Sequence, residues 1–167
     1  RPLVARSEQA RAALEEAAEV YERLFMVEYH ASRRGRAVHQ AVKGLNLAEA
    51  AGSRAAEARM AAACSVAAGL LAQRRLAEAY LRRAFAAVAG TDDASARGWV
   101  LQAAALYGIG LGRWAEARAH LEEANAIVRR LGDPRRLAEI TALQVWERYF
   151  QSELSGLPPM LAELDRI

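Results

Sequence analysis

The chain has 167 residues, of which 53% are hydrophobic and 26% charged, so it can bury a continuous core as one domain or a short series of repeats. Its net charge of +3 is too small to require a nucleic-acid partner, and no apolar run is long enough to span a membrane. The single cysteine, Cys64, excludes an internal disulfide. We therefore expect a cytoplasmic protein without membrane contact, and we expect this chain to be part of a longer one.

Helix-forming residues dominate every long stretch, because Ala, Leu, Glu, Arg and Gln lose little side-chain freedom in a helix. No stretch alternates apolar and polar residues as a half-buried strand does. Glycines and prolines divide the sequence into eight predicted helices, which makes the predicted fold all-α. In chain order these helices lie near residues 8–34, 36–51, 54–73, 75–89, 93–111, 113–131, 135–154 and 158–166.

Two classes of turn alternate along the chain at a regular spacing. Gly52 and Gly90, each followed by an N-cap residue, stand at an offset of 90 − 52 = 38, and Arg74 and Gly112 in the turns between them stand at the same offset. This alternation predicts an α-solenoid of about four tandem helical hairpins, forming a single domain over residues 1–167. The turns inside the hairpins are placed at Gly35, Arg74, Gly112 and Gly156.

One segment carries a family resemblance. Gly112 ends a turn and is followed by Trp114, Ala117, Leu121 and Ala124. This order of turn glycine, aromatic, small, large apolar and small residue resembles the second half of a tetratricopeptide repeat. The resemblance implies a right-handed superhelix of stacked hairpins, with Trp114 and Ala117 buried between neighbouring helices.

Two further segments, residues 45–52 and 106–114, are similar to the helical-repeat regions that follow the nucleotidase module in large bacterial signalling ATPases. Those proteins include fusions to adenylate cyclase, kinase and transcription-activator domains. The similarity extends over about residues 20–155. It implies a regulatory sensor or scaffold segment of a multidomain signalling protein, and it leaves a small-molecule sensor open as a further possibility.

Side chains on the first helix of each hairpin are predicted to line the concave groove of such a superhelix. They recur at spacings of three or four residues and so share a helix face. The predicted groove residues are Phe25, Tyr29, Trp99, Gln102, Leu106, Trp146 and Phe150. Because large aromatic anchors dominate interfaces, we expect a protein or peptide partner, or another domain of the same chain. The alternative is that the same aromatic stripe packs against the next hairpin.

Arginines recur at the turns inside successive hairpins, which would line one edge of a solenoid. This predicted basic edge consists of Arg33, Arg34, Arg36, Arg74, Arg75 and Arg113. The favoured interpretation is that these cations lie near helix C-termini and satisfy carbonyl groups and the helix dipole. The alternative function is a nucleic-acid-binding repeat with strongly salt-dependent affinity. Aromatic residues for base stacking are not evident along this edge, which argues against that alternative.

No constellation of residues predicts catalysis, a cofactor or a metal. Gly108 and Gly110 would need a further glycine at Arg113 to form a dinucleotide fingerprint. The three histidines lack the spacing of a zinc site. Cys64 lies among alanines, where a thiol behaves as a small buried hydrophobic group. The sequence therefore predicts an interaction or regulatory module that is not an enzyme.

Overall fold

The computed structural model describes residues 7–167 of the chain. This part contains eight α-helices and one short 3₁₀ turn, Leu154–Gly156, and has no β-strand. The α-helices are α1 Glu8–His30, α2 Arg34–Ala51, α3 Arg54–Leu70, α4 Arg74–Val88, α5 Ala94–Gly110, α6 Trp114–Leu131, α7 Pro134–Phe150 and α8 Leu157–Leu164. The predicted all-α class is confirmed. Every predicted helix has an observed counterpart, although several end about one turn before the predicted position.

The described residues form two compact units, unit 1 up to Ala96 and unit 2 from Arg97 to Ile167. In unit 1, α1 packs on α2, α2 on α3, and α3 on α4, and α1 also contacts α3. In unit 2, α6 packs on α7 and α7 on α8. Helices within each unit thus pack neighbour to neighbour, as expected for a helical repeat. A single domain over residues 1–167 stays a prediction.

The turns that follow α1, α3, α5 and α7 share one backbone geometry. In each turn one residue adopts a positive φ, and the next residue donates its amide to a carbonyl of the preceding helix end, as Arg33 does to Glu28 at 2.9 Å. The left-handed residues are Ser32, Ala72, Gly112 and Ser152, and neighbours in this series differ in sequence number by a constant 112 − 72 = 40. The period of the backbone is therefore longer than that of a tetratricopeptide repeat, which is about 34 residues.

This period corrects the sequence-based alignment of turns. The offset deduced from Gly52 and Gly90 is wrong, and so are the turn positions Gly35, Arg74 and Gly156, whereas Gly112 is placed correctly. The alignment relied on glycine because glycine reaches positive φ without steric cost. Here serine and alanine take the left-handed conformation in the other three turns, so glycine spacing does not mark the equivalent positions.

The starts of α3, α5 and α7 keep the same period. Ser53, Asp93 and Asp133 precede α3, α5 and α7, and the side-chain oxygen of each accepts an amide from the first turn of its helix, at 3.3, 2.9 and 3.0 Å. Such N-caps satisfy an amide that the helix itself leaves without a partner. These caps mark where the repeats that begin with α3, α5 and α7 start.

Small residues occupy two equivalent buried positions in each of α2, α4 and α6. These are Ala37, Ala77 and Ala117 at the first position and Gly44, Ala84 and Ala124 at the second. A methyl group added to Gly44 would collide with the side chain of Met60 on α3 and come within 3.1 Å of Tyr21 on α1. Small side chains thus allow neighbouring helices to approach closely. The predicted burial of Ala117 is confirmed.

Ion pairs also recur at equivalent positions, with the two charges exchanged. Glu57–Arg83 corresponds to Arg97–Glu123 one period of 40 residues later. Glu49–Arg83 corresponds to Arg129–Glu163 two periods later. Arg83 lies 2.9 Å from Glu57, and the exchanged pair of Arg97 and Glu123 is 2.5 Å apart. The repeat therefore preserves the pairing of charges at these sites while the sign at each position changes.

Candidate functional site

The two groove residues predicted on α1 do not form an open surface. Phe25 is buried in the core of unit 1, because α1 packs on both α2 and α3. Tyr29 is half-buried, and its ring centroid lies 6.1 Å from that of Phe25. Burial raises the pKa of the Tyr29 hydroxyl above its ordinary value. The prediction that Phe25 lines a groove is therefore wrong, because its side chain is buried in the core of unit 1.

The groove residues predicted on α5 are also largely internal. Trp99 is buried, with the guanidinium carbon of Arg136 at 5.1 Å from its ring centroid, a cation–π distance. Gln102 is buried and donates from Nε2 to Glu139 at 3.0 Å. Leu106 is half-buried. For Trp99 and Gln102 the structure fits the alternative interpretation, in which the stripe packs inside the protein.

The end of α7 carries the largest exposed aromatic area in the described part of the chain. Trp146, Tyr149 and Phe150 are 51%, 60% and 59% exposed. The ring centroids of Tyr149 and Phe150 are 5.7 Å apart, and Phe150 lies 6.4 Å from Trp114, the first residue of α6. These four residues are here named the aromatic surface. Trp114 is half-buried, so its predicted burial between neighbouring helices is only partly observed.

A buried carboxylate holds the helix turn that carries the aromatic surface. Glu147, which follows Trp146 in the sequence, is buried and accepts from Nε of Arg118 on α6 at 2.9 Å. The same guanidinium donates to Glu153 at 2.9 Å, and Gln151 donates to Glu147. Hydrogen bonds to Glu147 and Glu153 raise the pKa of Arg118 above its ordinary value. The end of α7 is therefore tied to α6 by charge-assisted contacts, which fix the position of the rings.

An open cavity of about 660 Å³ lies beside Trp114 in unit 2. Its walls include Trp114, Arg118, Glu122 and Gln151. This lining mixes apolar and charged groups and is open to solvent, unlike the deep apolar cavity that binds most small molecules. The cavity therefore extends the aromatic surface with hydrogen-bonding groups rather than forming an enclosed ligand site.

The six arginines of the predicted basic edge are all exposed. Five of them lie in unit 1, and Arg113 lies in unit 2. Arg33 and Arg36 approach the same carboxylate, Glu28, at 3.5 and 3.9 Å. Exposed ion pairs of this kind contribute little stability, so these side chains are accessible to another anionic group.

The helix positions of these arginines differ from the predicted ones at helix C-termini. Arg33 and Arg113 are the N-cap residues of α2 and α6, while Arg34 and Arg74 begin α2 and α4. Each preceding helix ends earlier than predicted, so the arginines fall at the start of the next helix, although the backbone amides of Arg33 and Arg113 still donate to carbonyls of the preceding helix. A cation there faces the positive end of the helix dipole and does not gain stability from it.

A second polar cluster lies inside unit 1, around Arg59 on α3. Its Nε atom is 3.1 Å from Glu22, its Nη1 atom 3.0 Å from Asp93, and its Nη2 atom 3.5 Å from Glu19. Arg59 and Glu22 are both buried, and Asp93 also caps α5. The cluster thus joins α1, α3 and the start of α5, which indicates a structural role.

Cys64 is buried in α3, as predicted. Burial raises the pKa of its thiol to about 12, with Arg83 lowering it and Glu49 raising it to smaller extents. A thiol with this pKa stays neutral at physiological pH and is a poor nucleophile. The side chain therefore serves packing.

The described residues show neither a metal centre nor a membrane-spanning helix. Within residues 7–167, no group of three or more His, Cys, Asp or Glu side chains is arranged to hold a metal ion. None of the helices described combines the length and apolar character needed to cross a bilayer. The sequence matches no protein-family model and no curated protein. The exposed rings of the aromatic surface are the described side chains best suited to contact another molecule.

Proposed function

We propose that this protein is an interaction module that binds a peptide, or a neighbouring domain of the same chain, at the aromatic surface. The observation that carries the proposal is the exposure of Trp146, Tyr149 and Phe150 on adjacent turns of α7. Soluble proteins seldom leave several large aromatic side chains together in water unless they are used for binding. Aromatic anchors of this type supply most of the free energy of protein interfaces.

The chemistry of the surroundings suggests the class of partner. Trp146 and Phe150 offer apolar area, while Glu116 and Glu122 beside the cavity offer acceptors for hydrogen bonds. A segment with a large apolar side chain next to donor groups would complement both. The Glu147–Arg118 contact supports this proposal, because a surface that is already ordered loses little entropy on binding.

The wider setting of the module is part of the same proposal. The four recurring turns support a solenoid of four helical hairpins. The resemblance of residues 112–124 to a tetratricopeptide repeat supports a right-handed superhelix, with a repeat period longer than that of the family. The resemblance to the repeat regions of bacterial signalling ATPases supports a cytoplasmic regulatory segment that transmits binding to other domains. Non-enzymatic function is proposed on the same basis, since no catalytic constellation was found in the sequence.

Nucleic-acid binding is a second candidate, favoured by the placement of the arginines. Arg34, Arg74 and Arg75 are exposed at helix starts, where they do not stabilise the helix dipole. Binding to a phosphate backbone would make affinity fall steeply with salt. Titration of a single-stranded and a double-stranded oligonucleotide at two salt concentrations tests this candidate, and equal or undetectable binding in both salts would reject it.

The experiment for the main proposal selects ligands from a random peptide library displayed on phage, with the full chain as the target. Peptides that are enriched are synthesised, and their Kd values are measured by calorimetry. Replacing Phe150 or Trp146 by Ser should weaken binding roughly tenfold or more, because each is an exposed anchor. Val42→Ser, which removes an exposed apolar side chain on α2, is the matched control and should leave the Kd unchanged. Failure to enrich any peptide, or equal binding by all variants, contradicts the proposal.

A further inference from the structure

The two arginines in the wall of the cavity beside Trp114 already have partners. Arg118 donates to Glu147 and to Glu153, in both cases at 2.9 Å. Two carboxylates thus compensate the single charge of this guanidinium. Arg113, the N-cap residue of α6, also has a contact of its own. The positive charges of the wall are therefore engaged within the protein.

The two carboxylates in the same wall are exposed and lack such partners. Glu116 and Glu122 form no ion pair or hydrogen bond with any other described residue. Between Trp114 and Glu122 on the cavity side of α6, the exposed residues Ala115 and Ala119 present only methyl groups. The cavity thus joins an aromatic ring to an unpaired negative charge across two small apolar side chains.

We infer that the peptide bound at the aromatic surface is basic, with a large apolar side chain on Trp114 and Phe150 and a lysine or arginine at Glu122. The inference rests on the proposed function and adds the charge and the spacing of the partner. A cation is favoured over a neutral donor because charge-assisted hydrogen bonds are about twice as strong. Ala115 and Ala119 leave room for the aliphatic stem of such a side chain, which can lie on apolar surface while its charged end meets Glu122.

The length of this contact along α6 predicts a spacing in the peptide. Trp114 and Glu122 stand 122 − 114 = 8 residues apart on one helix, which corresponds to a rise of about 12 Å. A short peptide is not stably helical in water, and an extended chain covers that rise in roughly three to four residues. The basic residue should therefore lie roughly three to four positions from the large apolar residue.

Peptides selected from the phage library on the full chain provide the probe for this inference. Enriched sequences should contain lysine or arginine at the expected spacing more often than the unselected library does. In one synthetic enriched peptide, replacing this basic residue by glutamine should raise the Kd roughly threefold or more. Higher salt should weaken binding of the original peptide, because the new ion pair lies at the protein surface.

Glu122→Lys reverses the charge that the basic residue is inferred to meet. This variant should bind the synthetic peptide about tenfold more weakly, because like charges then oppose each other. Glu16→Lys makes the same change of net charge at an exposed position of α1 outside the cavity wall, so this matched control should leave the Kd unchanged. Glu122 is chosen over Glu116 because Glu116 lies in the first turn of α6, where a carboxylate also stabilises the helix dipole.

The outcomes separate failure of this inference from failure of the proposed function. If no peptide is enriched, or if Phe150→Ser binds every enriched peptide as tightly as the wild-type chain, the proposed function is wrong and the inference fails with it. If the enriched peptides require Phe150 but lack basic residues, or if they bind Glu122→Lys with an unchanged Kd, the inference alone is overturned.

Circular dichroism checks that Glu122→Lys retains its helices. If helix is lost, Glu122→Gln takes its place, since it removes the charge and keeps the size of the side chain. Glu122→Gln should weaken binding of the basic peptide roughly threefold, and an unchanged Kd for this variant would overturn the inference.

Discussion

Replacing Arg59 by Met is the sharpest test of the charge cluster in unit 1. The guanidinium contacts three carboxylates, Glu22 at 3.1 Å, Asp93 at 3.0 Å and Glu19 at 3.5 Å. Methionine keeps most of the length and apolar packing of the arginine stem and removes the charge and its hydrogen bonds. The substitution therefore isolates the electrostatic part of the contact.

The expected loss follows from the exposure of the partners. The side chain of Glu22 is only 11% exposed, so the loss of the guanidinium leaves a buried carboxylate with weaker compensation. Breaking a buried pair in this way costs about 3–5 kcal/mol. Glu19 and Asp93 are 48% and 31% exposed and recover hydration, which places the expected loss near about 3 kcal/mol, the lower end of that range.

Urea denaturation measures this loss separately in the two units. All three tryptophans, Trp99, Trp114 and Trp146, belong to unit 2, so their fluorescence follows unit 2 while circular dichroism follows both units. Arg59→Met should move the dichroism transition of unit 1 to lower urea. Arg54→Met, which removes an exposed arginine 3.7 Å from Glu57 on the same helix, is the control and should cost less than about 1 kcal/mol. Equal effects of the two substitutions would refute the reasoning about burial.

Three further predictions concern the thiol, the turns and the small-residue core. The Cys64 thiol, with a pKa of about 12, should not react with a thiol reagent at mildly alkaline pH in the folded protein and should react fully in denaturant; rapid reaction when folded contradicts its burial. Gly112→Ala should lower the free energy of unfolding by about 1 kcal/mol, because residue 112 has a φ of +71°. Ala72→Gly should raise the free energy of unfolding by up to about 1 kcal/mol, because Ala72 already has a φ of +56°. Urea titrations that give the same sign for both changes would contradict the shared turn geometry. Ala117→Glu should prevent stable packing of α6, since Ala117 is fully buried, and an unchanged thermal midpoint would show that the assigned helix contacts are wrong.

The helices were predictable from the sequence because composition and local signals determine them. Helix-forming residues fill each element, and Ser53, the residue that follows Gly52, caps α3 as predicted. Asp93 caps α5 in place of Thr91, which follows Gly90. The predicted burial of Ala117 also holds, because a small residue in an apolar stripe favours close helix packing.

The period of the repeat was less accessible to sequence reasoning. Glycine is the usual signal of a left-handed turn, but Ser32, Ala72 and Ser152 carry no such signal. The exchange of charge between Glu57–Arg83 and Arg97–Glu123 hides a further sign of the repeat, since the residues at equivalent positions have opposite charge.

The candidate site could be predicted only in part, for a physical reason. Spacing along a helix identifies side chains that share a face, but it does not reveal which neighbour covers that face. Trp99 and Trp146 satisfy the same spacing rule, yet Trp99 lies under Arg136 while Trp146 is exposed. Tyr149 is not among the predicted groove residues, although it is among the most exposed aromatic residues of the described chain.

The central claim, that the aromatic surface binds a peptide, is tested most directly through the fluorescence of Trp146 alone. In a Trp99→Phe, Trp114→Phe background, Trp146 should emit as an exposed indole and be readily quenched by acrylamide, since half of its surface is open to water. Adding a peptide enriched by selection should shift this emission to shorter wavelength and protect it from quenching, with half-saturation at the Kd that calorimetry gives for this same double variant. A peptide that binds by calorimetry and leaves both the emission and the quenching of Trp146 unchanged would contradict the claim.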